Sequence, residues 1–227
     1  MRGLICGWGT GRQFSRRSCD RQTRRDSVAS FLNMVSELVV EEFATEETAI
    51  AGLVVINARS VTDDRGTVRE LYRGSVYTSV LSDVTQGWKQ INLTRTRRGA
   101  VRGLHGEAMA KLVTVPSGSA FGVYVDTRPE SRTVGNVVTV DLILGKQVFV
   151  PQGVCNGFQA TSEHDTEYLY FFDAEWRPNM SGVAVTPLDS ALGVTWPIPI
   201  DPNDHDQISE KDAAAPTLSS ILGGHAV

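Results

Sequence analysis

Residues that staple a fold or hold a metal ion are scarce in this chain. It contains three cysteines in 227 residues, Cys6, Cys19 and Cys155, which are too few and too scattered for a disulfide framework or a cysteine-based zinc site. No apolar run reaches the roughly 20 residues that a membrane-spanning helix needs. The formal net charge of −4 gives no reason to expect a nucleic-acid partner. These absences exclude several classes of protein without naming a function.

Histidine is equally scarce, and the four histidines are widely separated: His105, His164, His205 and His225. Metal sites in β-barrels usually need two or three histidines and a carboxylate that converge from adjacent strands. Only His105 falls within the β-rich centre of the chain, whereas the others lie in a polar turn, in the Asp-rich tail and at the terminus. We therefore expect no metal site.

The first 33 residues differ in composition from the rest of the chain. They hold seven arginines and two aspartates, a local charge of about +5 that leaves about −9 for the remainder. The segment has no helical or alternating apolar period and no continuous apolar core of a secretory signal. A transit peptide and a basic nucleic-acid arm are alternatives, but the composition favours a disordered leader or an upstream extension, with Met34 as the working start. We expect residues 34–227, tail included, to form one cytoplasmic domain.

From residue 51 onward the chain breaks into short runs rich in Val, Thr, Tyr and Phe, which favour strands. The predicted strands are residues 54–56, 76–80, 111–115, 121–126, 136–144, 147–150 and 167–172. Turn sequences such as Asp64-Arg65-Gly66 and Pro151-Gln152-Gly153 separate them. This spacing predicts an all-β sandwich or jelly roll. We expect short peripheral helices, one of them around residues 37–47, and a tail that wraps the surface after residue 197.

Three basic side chains, Arg102, His105 and Lys111, fall within ten residues of a Val-rich strand pair. Side chains alternate faces along a regular strand, so Arg102 and His105 would point to opposite sides. Gly103 and Gly106 allow a bulge that changes this alternation, so spacing alone leaves open which groups meet. Burial of cationic groups without an anionic partner is unfavourable. The cluster is therefore either an exposed basic edge or a pocket for an anionic ligand with a histidine base.

Several short motifs follow one another along the chain. They are Asp64-Arg65-Gly66 with Glu70, Gln90-Ile91-Asn92, Arg102-Gly103-Leu104-His105 with Lys111-Leu112-Val113, Val125-Asp126-Thr127-Arg128 with Gly135, Pro151-Gln152-Gly153 with Gly157-Phe158, Leu192-Gly193-Val194-Thr195-Trp196-Pro197, and Ser209-Glu210-Lys211-Asp212. Each motif is weak by itself, but their order and spacing together are specific. In this order they resemble the dTDP-4-dehydrorhamnose 3,5-epimerase family of nucleotide-sugar enzymes, over about residues 49 to 220.

The resemblance implies a fold and a chemistry. The fold is a cupin-like jelly-roll barrel that forms a homodimer, binds a nucleotide sugar and uses no metal or redox cofactor. The family's substrates carry a keto group at carbon 4, which acidifies the hydrogens on carbons 3 and 5. By resemblance His105 is the base that removes them, a role that suits histidine near neutral pH. Asp212 is implied as the carboxylate that orients the imidazole, and Lys111 as the cation at the developing enolate oxygen.

The resemblance also implies a set of binding residues. Arg102 and Arg65 suit the diphosphate, since a guanidinium forms paired hydrogen bonds with phosphate oxygens. Gln90, Asn92 and Glu70 are implied as contacts of the sugar or of the base.

Three features depart from the family pattern. Trp176 stands two residues before Pro178, where bifunctional members carry a tyrosine that acts as an acid. An indole can donate a hydrogen bond but does not deliver a proton as a phenol does. Asn156 stands where many members have a histidine, and the loop between His105 and Lys111 is short. These departures are typical of a subgroup of the family.

The loss of the tyrosine bears on which carbon reacts. In the family scheme that tyrosine serves chiefly carbon 5, so Trp176 predicts that carbon 3 is inverted preferentially and carbon 5 slowly or not at all. Tyr168 and Tyr170 are candidate substitute acids, because either can enter the pocket from the strand at 167–172. We expect Asn156, Tyr170 and Trp176 to contact the substrate.

The sequence therefore predicts an epimerase of a nucleotide-linked 4-keto-6-deoxy sugar, with dTDP as the nucleotide, in deoxysugar biosynthesis. Two alternatives remain open at this point. One is a ketoisomerase that moves the keto group through the same enediol. The other is a catalytically inactive barrel that binds a sugar nucleotide.

Overall fold

Two antiparallel β-sheets that share a hydrophobic core form the framework of the chain that the structure describes. This computed structural model describes residues 38–81 and 87–223. The predicted leader at residues 1–33 and the predicted domain start at residue 34 lie outside the described residues and stay predictions.

The described residues form fourteen strands: β1 (Val39–Glu41), β2 (Ala44–Glu47), β3 (Val54–Asn57), β4 (Ser60–Asp63), β5 (Gly66–Arg69), β6 (Gln90–Thr96), β7 (Val101–Glu107), β8 (Lys111–Ser117), β9 (Ala120–Asp126), β10 (Val137–Leu142), β11 (Lys146–Val150), β12 (Val154–Ala160), β13 (Thr166–Phe172) and β14 (Gly182–Ala184). They also form α1 (Gly74–Tyr77), a 3₁₀ turn (Ser190–Leu192), α2 (Glu210–Ala213) and α3 (Leu218–Gly223). None of the described helices is long and apolar enough to cross a membrane.

The strands pair in three antiparallel sheets. The six-stranded sheet has the order β2-β3-β11-β8-β13-β6, and the five-stranded sheet has the order β10-β9-β12-β7-β14. A small sheet, β1-β4-β5, completes the described part of the fold. Neighbouring strands in the two large sheets are mostly not consecutive in sequence, which is the connectivity of a jelly roll rather than of a simple meander.

Side chains from the two large sheets meet in the core. Val113 and Tyr168 come from the six-stranded sheet, and Tyr124 and Phe158 come from the five-stranded sheet. The rings of Phe158 and Tyr168 stack with their centroids 3.9 Å apart. On β8 and β11 alternate residues, Val113 and Val115 and then Val148 and Val150, point into this core, as the pleat of a strand requires. The predicted all-β fold class is confirmed.

Two local predictions were wrong. Residues 76–80, predicted as a strand, form the end of α1 and the turn after it, because Tyr77 is buried there and donates a hydrogen bond of 2.6 Å to Gln147 of β11. The predicted helix at 37–47 is, from residue 39 onward, the pair of strands β1 and β2, which bind to β4 and β3. In both segments contacts with distant parts of the chain override local propensity.

Strand β7 contains the bulge that its glycines allow. His105 lies opposite Asn156 of β12, whereas Arg102 lies opposite Phe158, so three steps along β7 match two along β12. Gly103 has a φ of 102°, and a Cβ there would lie 2.7 Å from the carbonyl oxygen of Asn156, so a side chain has no room. The extra residue brings Arg102 and His105 to the same cavity, which strand alternation alone would not do.

The C-terminal tail covers the outer face of the five-stranded sheet. Leu192 and Leu218 of the tail are buried in one cluster with Leu104 of β7. Ser209 caps the N-terminus of helix α2, and its hydroxyl accepts a hydrogen bond of 3.1 Å from the backbone N–H of Asp212. This cap fixes Asp212 beside β7.

Candidate active site

A cavity of about 630 Å³ opens beside β7, between β6, β8, β12, β13 and the tail. It is large enough for a drug-sized ligand. Eight of the residues predicted from the sequence line it: Asn92, Arg102, His105, Lys111, Asn156, Tyr170, Trp176 and Asp212. The structure thus brings together residues from five strands, one helix and the loop that carries Trp176.

His105 and Asp212 form a hydrogen-bonded pair in this cavity. The distance from His105 Nε2 to Asp212 Oδ1 is 2.7 Å, although the two residues are 107 positions apart in sequence. Asp212 is buried and His105 is half-buried. Within the described ranges no hydrogen bond involves the other ring nitrogen, Nδ1, so this atom is available to a ligand. A carboxylate in this position fixes the imidazole tautomer and stabilises the imidazolium.

The surroundings of Asp212 keep its carboxylate ionised. Burial would raise the pKa of Asp212, but hydrogen bonds from His105, from Ser209 and from the backbone of Gly103 outweigh burial and lower it. Asp212 therefore carries a negative charge throughout the neutral pH range.

Lys111 opens β8 and places an ammonium group in the cavity, although only 3% of the residue is exposed. The ammonium donates hydrogen bonds to Asn156 Oδ1 at 2.6 Å, to the His105 carbonyl oxygen at 3.2 Å and to the carboxylate of Glu107. Burial would raise the pKa of Glu107, but the charge and the hydrogen bond of Lys111 outweigh burial and lower it. The two side chains form an ion pair in which the ammonium is buried and the carboxylate is half-buried.

Tyr170 lines the cavity from β13, opposite Asn92 of β6. Its ring stacks on Phe172 at 5.6 Å and contacts Tyr168 at 4.7 Å. Burial, opposed by the nearby charge of Arg102, raises the pKa of the Tyr170 phenol. Tyr170 therefore keeps its proton at neutral pH. Tyr168, the other tyrosine considered from the sequence, is fully buried in the core and does not line the cavity.

Trp176 lies at the edge of the cavity with 53% of its surface exposed. Its backbone N–H donates a hydrogen bond of 2.8 Å to Gln90 Oε1, and Gln90 Nε2 donates one of 3.1 Å to Asn92 Oδ1. Gln90 itself does not line the cavity. Through these two hydrogen bonds Gln90 links the segment that carries Trp176 to Asn92 of β6.

A group of guanidinium side chains gives the cavity a basic rim. Arg102, Arg95 and Arg97 all line it. Arg102 Nε donates to Thr96 Oγ1 at 3.0 Å, and Arg97 has an ion pair of 3.5 Å with the exposed Asp206. The rim fits an anionic ligand and supports the pocket interpretation of the basic cluster over that of an exposed edge.

Two predicted binding residues lie away from this cavity. Arg65 is in the turn between β4 and β5, where its side chain is 90% exposed and pairs with Asp63 at 2.6 Å. Glu70 pairs with Arg73 and lines a separate surface pocket. Neither residue lines the cavity of its own chain.

Several lining residues were not predicted from the sequence, among them Arg95, Arg97, Glu107 and His205. The sequence could have indicated Glu107, because it follows His105 by two positions on one strand and therefore lies on the same face. No local sequence pattern indicates His205, because its position depends on how the tail returns to β6 and β7.

The sequence profile of the dTDP-4-dehydrorhamnose 3,5-epimerase family matches residues 47–220, which is most of the chain. The chain belongs to this family. The predicted family resemblance is confirmed, and the match covers β3 to β14, the bulge, the cavity and helix α2.

Similar proteins include both 3,5-epimerases and a 3'-monoepimerase. A dTDP-4-dehydrorhamnose 3,5-epimerase of Salmonella typhimurium is 33% identical over 182 residues, which are 78% of this chain and 96% of that protein. The structure of a dTDP-6-deoxy-D-glucose-3,5-epimerase from Legionella pneumophila, in complex with dTDP-4-keto-L-rhamnose, is similar with a TM-score of 0.70 and 31% identity, covering 78% of this chain and 94% of that one. A 3'-monoepimerase from Streptomyces bikiniensis, in complex with dTDP-quinovose, has a TM-score of 0.69 and 28% identity, covering 78% and 90%.

Proposed function

We propose that this protein is an epimerase of a dTDP-linked 4-keto-6-deoxy sugar and works in cytoplasmic deoxysugar biosynthesis. The observation that carries the proposal is the His105–Asp212 pair, with 2.7 Å between Nε2 and Oδ1, in a cavity that also holds a buried ammonium. A positioned base and a cation are the two groups that enolate chemistry requires. The dTDP sugars named for the similar structures support the substrate class.

In this proposal His105 removes a hydrogen next to the ketone as a proton. Because Nε2 is bound to Asp212, the proton goes to Nδ1. The electron pair of the C–H bond moves into the adjacent C–C bond, and the carbonyl oxygen becomes an enolate oxygen. Lys111 donates a hydrogen bond to that oxygen, where the negative charge develops. The step transfers one proton and leaves no group oxidised or reduced.

Inversion requires that a proton return on the opposite face of the ring. We assign Tyr170 as the donor, because it is a phenol and lines the same cavity as His105 and Lys111. The phenolate then recovers a proton from solvent while His105 releases the one it accepted. Trp176 is not suited to this role, since indole N–H is not acidic enough.

The same arrangement bears on carbon selectivity. In a ring of the gluco configuration the hydrogens on carbons 3 and 5 are both axial on one face, so a single base can serve both. The expectation that carbon 3 reacts preferentially came from Trp176 in the usual place of the tyrosine. If Tyr170 serves both carbons, that reason is removed, so labelling of the two carbons tests the donor assignment as well as the selectivity.

The rim of the cavity suits the nucleotide. Arg102, together with Arg95 and Arg97, supplies guanidinium groups for a diphosphate, and each can form paired hydrogen bonds with phosphate oxygens. Trp176 offers an exposed aromatic face, on which a base stacks with about 1–3 kcal/mol. Asn92, held by Gln90, and Asn156 are assigned as polar contacts of the sugar or the base.

We propose that the enzyme acts as a homodimer. Val39 and Val40 of β1 and Val68 of β5 are exposed apolar side chains on the small sheet that also carries Arg65. Ile91 and Leu93 are exposed on β6, the edge strand that borders the cavity. Contact between these two surfaces in a pair of chains would bury both.

This pairing also accounts for two predicted binding residues. The turn that carries Arg65, and Glu70 after it, would reach the cavity of the partner chain. Their absence from the cavity of their own chain is then consistent with a role in substrate binding.

The proposed activity is tested by NMR of dTDP-4-keto-6-deoxyglucose in D₂O with the enzyme. The proposal predicts deuterium at carbon 3, at carbon 5 or at both, together with inversion. Movement of the keto group would indicate a ketoisomerase. Binding of the sugar nucleotide without any exchange would indicate an inactive barrel and would refute the proposal.

A further inference from the structure

The ammonium of Lys111 has no hydrogen-bonding capacity left in this chain. An ammonium group has three N–H donors. All three are used, by Asn156 Oδ1, by the His105 carbonyl oxygen and by the carboxylate of Glu107. A substrate oxygen can therefore reach Lys111 only by replacing one of these three partners.

The three partners differ in charge. Asn156 and the backbone of His105 are neutral acceptors, and a carbonyl oxygen of a ligand is a neutral acceptor of the same kind. Glu107 supplies the carboxylate that is ion-paired with Lys111. A buried cation that loses its anionic partner is strongly destabilised, whereas exchange of one neutral acceptor for another changes little.

Geometry also separates the three partners. The contact with the His105 carbonyl oxygen, at 3.2 Å, is longer than the contact with Asn156, at 2.6 Å. The longer bond is the weaker one and is the one that an entering oxygen replaces at least cost. Glu107 lines the cavity and its side chain is 23% exposed, so its carboxylate is at the substrate site and is not merely part of the core.

We propose that Glu107 is a positioning residue for catalysis, whose carboxylate keeps the Lys111 ammonium charged and directed at the ketone oxygen of the substrate. The proposal rests on the proposed function, since Lys111 needs this charge only if an enolate forms. Glu107 does not exchange a proton with the sugar. It acts through Lys111, and Asn156 holds the same ammonium from β12.

Spectroscopy of Lys111 gives a test that does not depend on activity. The chain has four lysines, Lys89, Lys111, Lys146 and Lys211, so the ammonium signals of the ¹⁵N-lysine-labelled full chain are few, and loss of one signal in Lys111→Arg assigns it. In the wild type we expect a slowly exchanging Lys111 ammonium signal near neutral pH. In Glu107→Gln we expect this signal to be lost, because the buried amine loses either its proton or its position.

Kinetics of deuterium exchange into dTDP-4-keto-6-deoxyglucose complete the test. Glu107→Gln should lower kcat about 10²-fold, the usual effect of losing one oxyanion donor, with little change in KM. Glu107→Asp keeps the charge and should restore both the Lys111 signal and part of kcat. Glu130→Gln, the same substitution at an exposed turn residue, serves as the matched control and should behave as the wild type.

The outcomes are distinguishable from failure of the proposed function. An unchanged Lys111 signal or a wild-type kcat in Glu107→Gln overturns the role of Glu107. The same holds if Glu107→Asp is as impaired as Glu107→Gln, because charge would then not be the relevant property. Deuterium exchange that survives in His105→Asn would instead overturn the proposed function and would leave the Lys111 signal as it is.

Discussion

Replacement of Asp212 by Asn tests whether the carboxylate beside His105 takes part in proton transfer. The hydrogen bond between the two is 2.7 Å long, and its acceptor is buried and ionised. A hydrogen bond to a charged group contributes about 1.5–3 kcal/mol. If this amount is lost when the imidazolium forms, the exchange rate falls about 10- to 150-fold. An amide N–H can also donate to Nε2, which would shift the ring proton to Nδ1 and block the basic atom.

The assay is the rate of deuterium incorporation, measured together with binding of dTDP by calorimetry. Binding should stay close to wild type, because Asp212 is bonded to His105 and not to the phosphate rim. Asp141→Asn, the same substitution at an exposed position on β10, is the matched control. A wild-type exchange rate in Asp212→Asn would refute the coupling of the two side chains.

Other expected outcomes can be measured independently. Tyr170→Phe should abolish inversion while leaving slow deuterium exchange without inversion. The rates of deuterium labelling at carbons 3 and 5, compared between wild type and Trp176→Tyr, decide whether the indole limits the reaction at carbon 5. Equal labelling of both carbons in the wild type would refute that explanation. Burial would raise the pKa of Asp126, but hydrogen bonds from Arg128, Ser131 and Thr133 outweigh burial and lower the pKa to about 2. The pKa in the folded state is therefore below that in the unfolded state. As a result, about 2 kcal/mol of stability is present above about pH 4 and is lost as the pH falls towards 2. Urea unfolding of wild type and Asp126→Asn across this range should therefore converge at low pH, and parallel curves would contradict the assignment. Dialysis against a strong chelator should leave activity unchanged, and activity restored by one divalent ion would show that a metal is needed.

The sequence predicted those parts of the fold and the site that depend on local pattern. The five strands predicted from residue 111 onward follow from Val- and Phe-rich runs bounded by turns, and the structure contains all five of them. Arg102 and His105 line the same cavity only because of the bulge at Gly103. The glycines made a bulge possible, but only the register of β7 against β12 decided it.

The remainder depended on contacts between distant segments. Residues 76–80 have strand propensity but form a helical turn, because Tyr77 is buried against β11. His205 lines the cavity only because the tail returns to β6 and β7. Arg65 was predicted as a substrate contact, yet it lies outside the cavity of its own chain, and the sequence of one chain does not reveal what a second copy contributes.

The most direct test of the account is deuterium labelling of dTDP-4-keto-6-deoxyglucose by wild type and by His105→Asn. Nδ1 of His105, the ring nitrogen that does not contact Asp212, is available to a ligand in the cavity. The wild type should therefore exchange the hydrogen next to the ketone. His105→Asn should exchange none while still binding the nucleotide. Exchange at the wild-type rate in His105→Asn would contradict the assignment of His105 as the base and, with it, the proposed mechanism.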